Sequence, residues 1–141
     1  MNCMIFDTTY FAQIIGKKNS QKISLNRRTG KFFSRQSEKA KLQEFSMINW
    51  FREEMQRQNY DPAKTKDKSL VIDIRVVNQD KRRHDLDNQL STILDALVKA
   101  GVIPDDNQKI ISKVSVSYGG VDKDTPRARI TIYAFERSKD E

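Results

Sequence analysis

The chain has 141 residues, 37% of them hydrophobic, enough to bury one core and too little for two ordinary domains. Its net charge of +7 points to a polyanionic partner and is lopsided: residues 1–84 carry 18 Lys and Arg against 9 Asp and Glu, residues 85–141 carry 8 against 10. The single cysteine, Cys3, excludes an intramolecular disulfide and a Cys-rich zinc site, and the lack of a leader-like N-terminus or a long apolar run predicts a cytoplasmic protein without a membrane span.

Met4, Ile5 and Phe6 predict a short edge strand over residues 2–8. From Gln13 to Lys41 nine basic residues are opposed by Glu38 alone, and Ile23-Ser24-Leu25 and Lys31-Phe32-Phe33-Ser34 flank Asn26-Arg27-Arg28-Thr29-Gly30. This is a hairpin signal with a turn of four or five residues. Arg27, Arg28 and Lys31 at its tip suit a DNA backbone, and Phe32 or Phe33 suits either stacking on an unpaired base or anchoring the hairpin to the core. Ser34 or Ser37 is placed to cap a helix over residues 37–57, with Leu42, Phe45, Met47 or Ile48, and Phe51 or Met55 on its apolar face. Trp50 lies off that stripe, as a widening of the core face or as part of a dimer contact.

Residues 58–68, with Asp61-Pro62 and three lysines, read as a mobile linker. Ser69 to Val77 alternates, with Leu70, Ile72, Ile74 and Val76 on one side, as an internal strand would. Next comes the basic run Lys81-Arg82-Arg83-His84, then Asp85 and Asp87, then a helix over about 88–100. Leu90, Ile93, Leu94, Leu97 and Val98 give it one apolar stripe. Asp87 or Asn88 supplies the N-cap oxygen, and Lys99 and Gly101 mark its end. Asp105 and Asp106 follow. Because thirteen helical residues span about 20 Å, the connection from Gly101 to Pro104 cannot by itself return them to Asp85. Residues 109–118 and Ala128 to Phe135 complete the order as two strands, which Gly119-Gly120 and Thr125-Pro126 suit to antiparallel pairing. The expected architecture is one α+β domain over 1–141, a mixed, largely antiparallel sheet carrying two main helices.

An Asp-x-Asp ahead of a helix is by itself weak evidence of chemistry, since aspartate is a favoured cap, and Asp105-Asp106-Asn107 alone is an ordinary turn. The pattern as a whole is more specific. Arg83-His84-Asp85-Leu86-Asp87-Asn88, followed by Leu94-Asp95-Ala96-Leu97, Lys99-Ala100-Gly101 and Asp105-Asp106, resembles the core motif of the RusA family of Holliday junction resolvases. That resemblance implies a homodimeric, Mg2+-dependent endonuclease that nicks branched DNA at four-way junctions, with Mn2+ a possible substitute. It maps the acidic site onto Asp85, Asp87 and Asp106, with Asp105 in reserve. Carboxylates suit this role because hard cations take oxygen ligands, and Mg2+ commonly binds one or two of them while keeping its waters. The basic residues Arg27, Arg28, Lys31, Lys81, Arg82, Arg83 and His84 are the candidate DNA contacts.

One departure matters: Ser91 stands where the family's type member has a catalytically important lysine. Either another cation, Lys81, Arg83 or Lys109, takes its place, or the chain is a catalytically weakened branched-DNA-binding protein on the same scaffold. A PD-(D/E)xK site fits worse, because no Asp or Glu is followed two residues later by Lys, and the one histidine rules out a ββα-metal site of the His-Asn-His kind.

Overall fold

The computed structural model describes residues 3–16, 21–36, 38–105, 107 and 109–137, with the side chains of 21–26 and 31–36 outside that description. The elements are β1 (Cys3–Tyr10), β2 (Gln21–Asn26), β3 (Lys31–Gln36), α1 (Glu38–Arg57), a short 3-10 turn (Pro62–Thr65), β4 (Lys68–Asn78), α2 (Leu86–Ala100), β5 (Ile111–Val121) and β6 (Arg127–Glu136). β1, β6, β4 and β5, in that spatial order, form one mixed sheet, and β2 and β3 form a separate antiparallel hairpin. This is the expected α+β architecture.

The alternation in β4 sets the core. Leu70, Ile72, Ile74 and Val76 are fully buried on one face, and on β6 Ala128, Ile130, Ile132 and Ala134 continue that layer. Met47 and Phe51 of α1 and Ile93, Ala96 and Leu97 of α2 close it from above. A sheet buried on one face against helices needs this period of two on its strands and 3.6 on its helices. β4 and β5 run parallel, and α2 is the crossover that such a pair requires.

Four expectations change. β6 does not pair with β5: it lies on the other side of β4, antiparallel to both β4 and β1. Its alternate residues are buried, so it is satisfied by a neighbour on each edge, whereas β5 is a half-exposed edge strand. The connection between them passes over the end of β4, where the Asp122 amide donates to the Asn78 carbonyl at 2.8 Å. The Asp122 carboxylate braces that turn by accepting from the Thr125 hydroxyl at 2.6 Å and from Arg127 at 3.1 Å.

On α1 the buried stripe is Ala40, Met47, Phe51 and Glu54, while Leu42 and Phe45 are each 68% exposed. A buried glutamate hid the true stripe. Glu54 accepts from the Thr8 hydroxyl at 2.6 Å and pairs with Arg57, which together hold its carboxyl below the usual range despite burial. Trp50 packs at the core margin and donates to the Thr8 hydroxyl at 2.9 Å, so it does widen the core face.

The expected linker is ordered. Asp61 caps the 3-10 turn by accepting from the Ala63 amide, Thr65 is buried, and Tyr60 packs tilted against Phe6 with centroids 5.1 Å apart while its hydroxyl donates to the Val102 carbonyl. The fourth change concerns α2, which begins two residues early: Asp85, not Asp87 or Asn88, is its N-cap. Ser37, one of the two expected caps of α1, lies outside the described residues.

Candidate metal and DNA-binding site

The N-terminus of α2 carries the first acids. Asp85 has the extended backbone of an N-cap and accepts from the Asp87 amide at 3.1 Å, while Asn88 Nδ2 reaches its other oxygen at 3.5 Å. Asp87, in the first helical turn, is exposed, and Ser91 is exposed one turn further along the same face. A carboxylate offers about four lone-pair sites, so the capping bonds leave Asp85 with coordination capacity. Both acids also gain from the positive end of the helix dipole.

The second acid pair is elsewhere. Gly101 ends α2 in the left-handed conformation (φ 83°), and the Val102 amide returns to the Leu97 carbonyl at 3.0 Å. Val102 and Ile103 are then buried, so the chain is pinned where the helix ends. Asp105 accepts from Asn107 Nδ2 at 3.0 Å, and the Asn107 carbonyl accepts from the amides of Ile110 and Ile111, at the start of β5. Ile111 is level with Leu70 near the beginning of β4, whereas Asp85 follows the end of β4. Fifteen helical residues therefore separate Asp85 from Asp105, about 22 Å along the axis. Asp106 lies outside the described residues, but it is chain-bonded to Asp105. Among the described residues no three of His, Cys, Asp and Glu come together to hold a metal ion.

The oxygen-only donors suit a hard divalent cation with retained waters, and within one chain Asp85 and Asp87 supply two of the three expected carboxylates. The candidate cations divide in the same way. Lys81 and Arg83 are exposed at the Asp85 end, and Lys109 is exposed at the Asp105 end.

Of the basic run, Lys81, Arg82 and Arg83 are exposed. His84 is bound to Asp80 at 2.9 Å, and that bond holds the Asp80 carboxyl below its usual range. Asp95 is half-buried on α2. Arg27 and Arg28 occupy the exposed turn between β2 and β3, and Gly30 there has φ 70°. The side chains of Lys31, Phe32 and Phe33 lie outside the description.

What the sequence reading missed is a polar cluster behind the acids. Residues 13–16 lie between α1, the end of β4 and α2, held by side-chain amides from each. Gln43 is doubly bonded to this segment, accepting from the Ile15 amide at 2.8 Å and donating to the Gln13 carbonyl at 2.7 Å. Gln89 is 2% exposed and donates to the Ile14 carbonyl and to Asn78 Oδ1, which also accepts from Gln13 Nε2 at 2.8 Å. The Thr92 hydroxyl donates to the Ile15 carbonyl at 3.0 Å. Glutamine has no periodic signature; the only available signal was polar residues on the inner side of α2.

The fold is that of a small basic α+β domain with two exposed acids, Asp85 and Asp87, at the N-terminus of α2. The family model described as Endodeoxyribonuclease RusA matches residues 17–133, most of the chain. The protein therefore belongs to the RusA endodeoxyribonuclease family and is a DNA-cutting enzyme whose family supports a Holliday junction endonuclease role. No curated protein matches the chain. Among the described residues no helix is long and apolar enough to cross a membrane.

Proposed function

We propose that this single domain is a Mg2+-dependent resolvase that acts in the cytoplasm as a homodimer, making paired symmetric nicks in four-way DNA junctions. The observation that carries the dimer is the separation of the acids. Asp85 and Asp87 stand at one end of α2 and Asp105 stands past the other, with Asp106 the next residue in the sequence. Two copies related by a two-fold axis, with their α2 helices antiparallel, bring Asp85 and Asp87 of one protomer to Asp106 of its partner, twice. Leu86, Leu90, Leu94 and Val98, half-exposed on α2, supply apolar surface for that contact.

In this reading Asp85, Asp87 and Asp106 hold Mg2+, which supplies Lewis-acid activation of the scissile phosphate. The chain's own residues do the remainder. Arg27, Arg28, Lys31, Lys81, Arg82, Arg83 and His84 bind and orient the phosphates. Ser91 carries no charge, so the cation that neutralises the transition state comes from Lys81 or Arg83 of the same protomer or from Lys109 of its partner, which arrives with Asp106.

The test is cleavage of a labelled four-way junction beside linear duplex of the same sequence, with Mg2+ or Mn2+. Asp85→Asn and Asp106→Asn are each expected to abolish cutting while retaining junction binding. A mixed dimer of the two variants rebuilds one complete site and is expected to cut one strand. Failure of the mixed dimer to cut rules out the shared site. Tight binding by the wild type with no cleavage under either metal leaves the branched-DNA-binding alternative.

A further inference from the structure

We infer that the amide cluster around residues 13–16 is a positioning clamp: Gln43 and Gln89 fix where the basic hairpin leaves the body relative to Asp85, and thereby fix which phosphodiester is cut. This rests on the nuclease reading above. The backbone of three consecutive residues, Gln13, Ile14 and Ile15, is bound by side chains of α1 and α2, Gln43 from the first and Gln89 and Thr92 from the second, and Asn78 at the end of β4 joins the cluster through Gln13 and Gln89. Gln43 presents both an acceptor and a donor to the segment, as a neighbouring strand would. Gln13 adds a further tie, accepting from the Gln79 amide at 2.6 Å.

The same segment touches the acid end. A Cβ built on Gly16 would stand 2.7 Å from Asn88 Cβ, and Asn88 reaches Asp85. The clamped segment thus ends against the residue that supports the acid, and in the sequence the hairpin of β2 and β3 begins five residues after Gly16.

The cluster is an inefficient way to fill a core. The Oε1 of Gln89 is buried with no hydrogen-bond partner among the described residues, which is unfavourable because the oxygen gives up water without a replacement. Leucine has similar volume and would leave no such orphan. Replacing Gln89 would also leave the Ile14 carbonyl and Asn78 Oδ1 each with a bond from Gln13 Nε2. A residue kept for packing alone has no need of these bonds.

The full-length dimer is tested with Gln89→Leu and Gln43→Ala. Both are expected to bind junctions within about twofold of wild type, because the phosphate-binding cations are intact. Both are expected to lose kcat on the order of tenfold to a hundredfold and to spread their nicks over neighbouring phosphodiesters, because small displacements of the reacting groups are costly. Gln89→Leu is expected to do so with an unchanged or higher Tm, a combination that a packing role does not give. Spin labels at Thr29→Cys and Glu53→Cys in a Cys3→Ser background, with the labelled chain diluted in an excess of unlabelled Cys3→Ser chain so that each dimer carries one labelled protomer, read the hairpin without using cleavage: one narrow distance in the parent chain, broadened by either substitution. An unchanged distance distribution, or kcat and junction affinity falling together with Tm, overturns the clamp. If the parent chain cuts no junction, the nuclease reading fails on its own, and the distance distribution still decides whether the clamp holds the hairpin.

Discussion

Gly16 lies directly against Asn88, so close that an added methyl would come within 2.7 Å of the Asn88 Cβ and 3.6 Å of its Cγ. The obstacle is the root of a helical side chain, which cannot swing aside. Gly16→Ala is therefore expected to destabilise the fold by roughly 1–3 kcal/mol as an overpacking change. Thermal unfolding measures this, and an unchanged Tm would show that the segment yields.

The exposed turn at Arg27 and Arg28 gives a prediction read in salt. If these arginines bind phosphates, Arg27→Ala and Arg28→Ala each lower the slope of log K against log salt by about 0.9 on duplex arms. Titrations over a range of salt concentrations report the slope, and equal slopes for parent and variants remove the turn from the interface.

At the sheet edge Arg129 grips Asp7 through two bonds of 3.0 and 2.9 Å, and Thr131 adds a third at 3.2 Å. The guanidinium holds the Asp7 carboxyl below its usual range. A carboxyl depressed in the folded state stabilises the fold above its unfolded-state value, about 3.9, and loses that contribution as pH falls through the folded value. Urea unfolding at descending pH is expected to show this loss, with a flatter profile for Asp7→Asn. Matching profiles would mean that the pair adds nothing.

Burial, with the charge of Asp61 adding to it, pushes the Tyr60 phenol up to about 12. Its neutral form stabilises the fold below about pH 10, and the contribution is lost as pH rises from there through the folded value. An ultraviolet titration is expected to show a tyrosine ionising near 12 that disappears in Tyr60→Phe. That variant also loses the bond to the Val102 carbonyl, worth about 1 kcal/mol.

The legible parts of the chain are those whose order is periodic. Leu70, Ile72, Ile74 and Val76 announced β4, and the stripe from Leu90 to Val98 announced α2 to within two residues. The hairpin was legible from its turn residues. Pairing was not, because a short turn from Gly119 to Pro126 is compatible with β6 lying beside β5 or crossing β4, and only the buried alternation on both edges of β6 decides. On α1, Leu42 and Phe45 look like core while Glu54 is buried, because Thr8 and Arg57 satisfy its carboxylate from distant or charged positions.

The candidate site was legible as a set of residue types and only half legible as a place. Asp85 and Asp105 are close in sequence and separated by the rigid length of α2, a distance that the helix periodicity already contained. The amide clamp was invisible, because Gln13, Gln43, Asn78 and Gln89 are spread over 77 positions and meet only in the folded chain.

The pairing of β1 has a consequence for how the enzyme is made. Among the described residues this first strand has one neighbour, β6, and Thr9 stands opposite Arg129. Synthesis proceeds from the N-terminus, so β1 and one edge of β4 wait with open hydrogen-bonding edges until Arg127–Glu136, the residues of β6, have been released. Such distant contacts also make folding slow relative to helical domains of this size. A ribosome stalled before residue 127 therefore carries a nascent chain whose basic hairpin has already emerged but whose sheet cannot close.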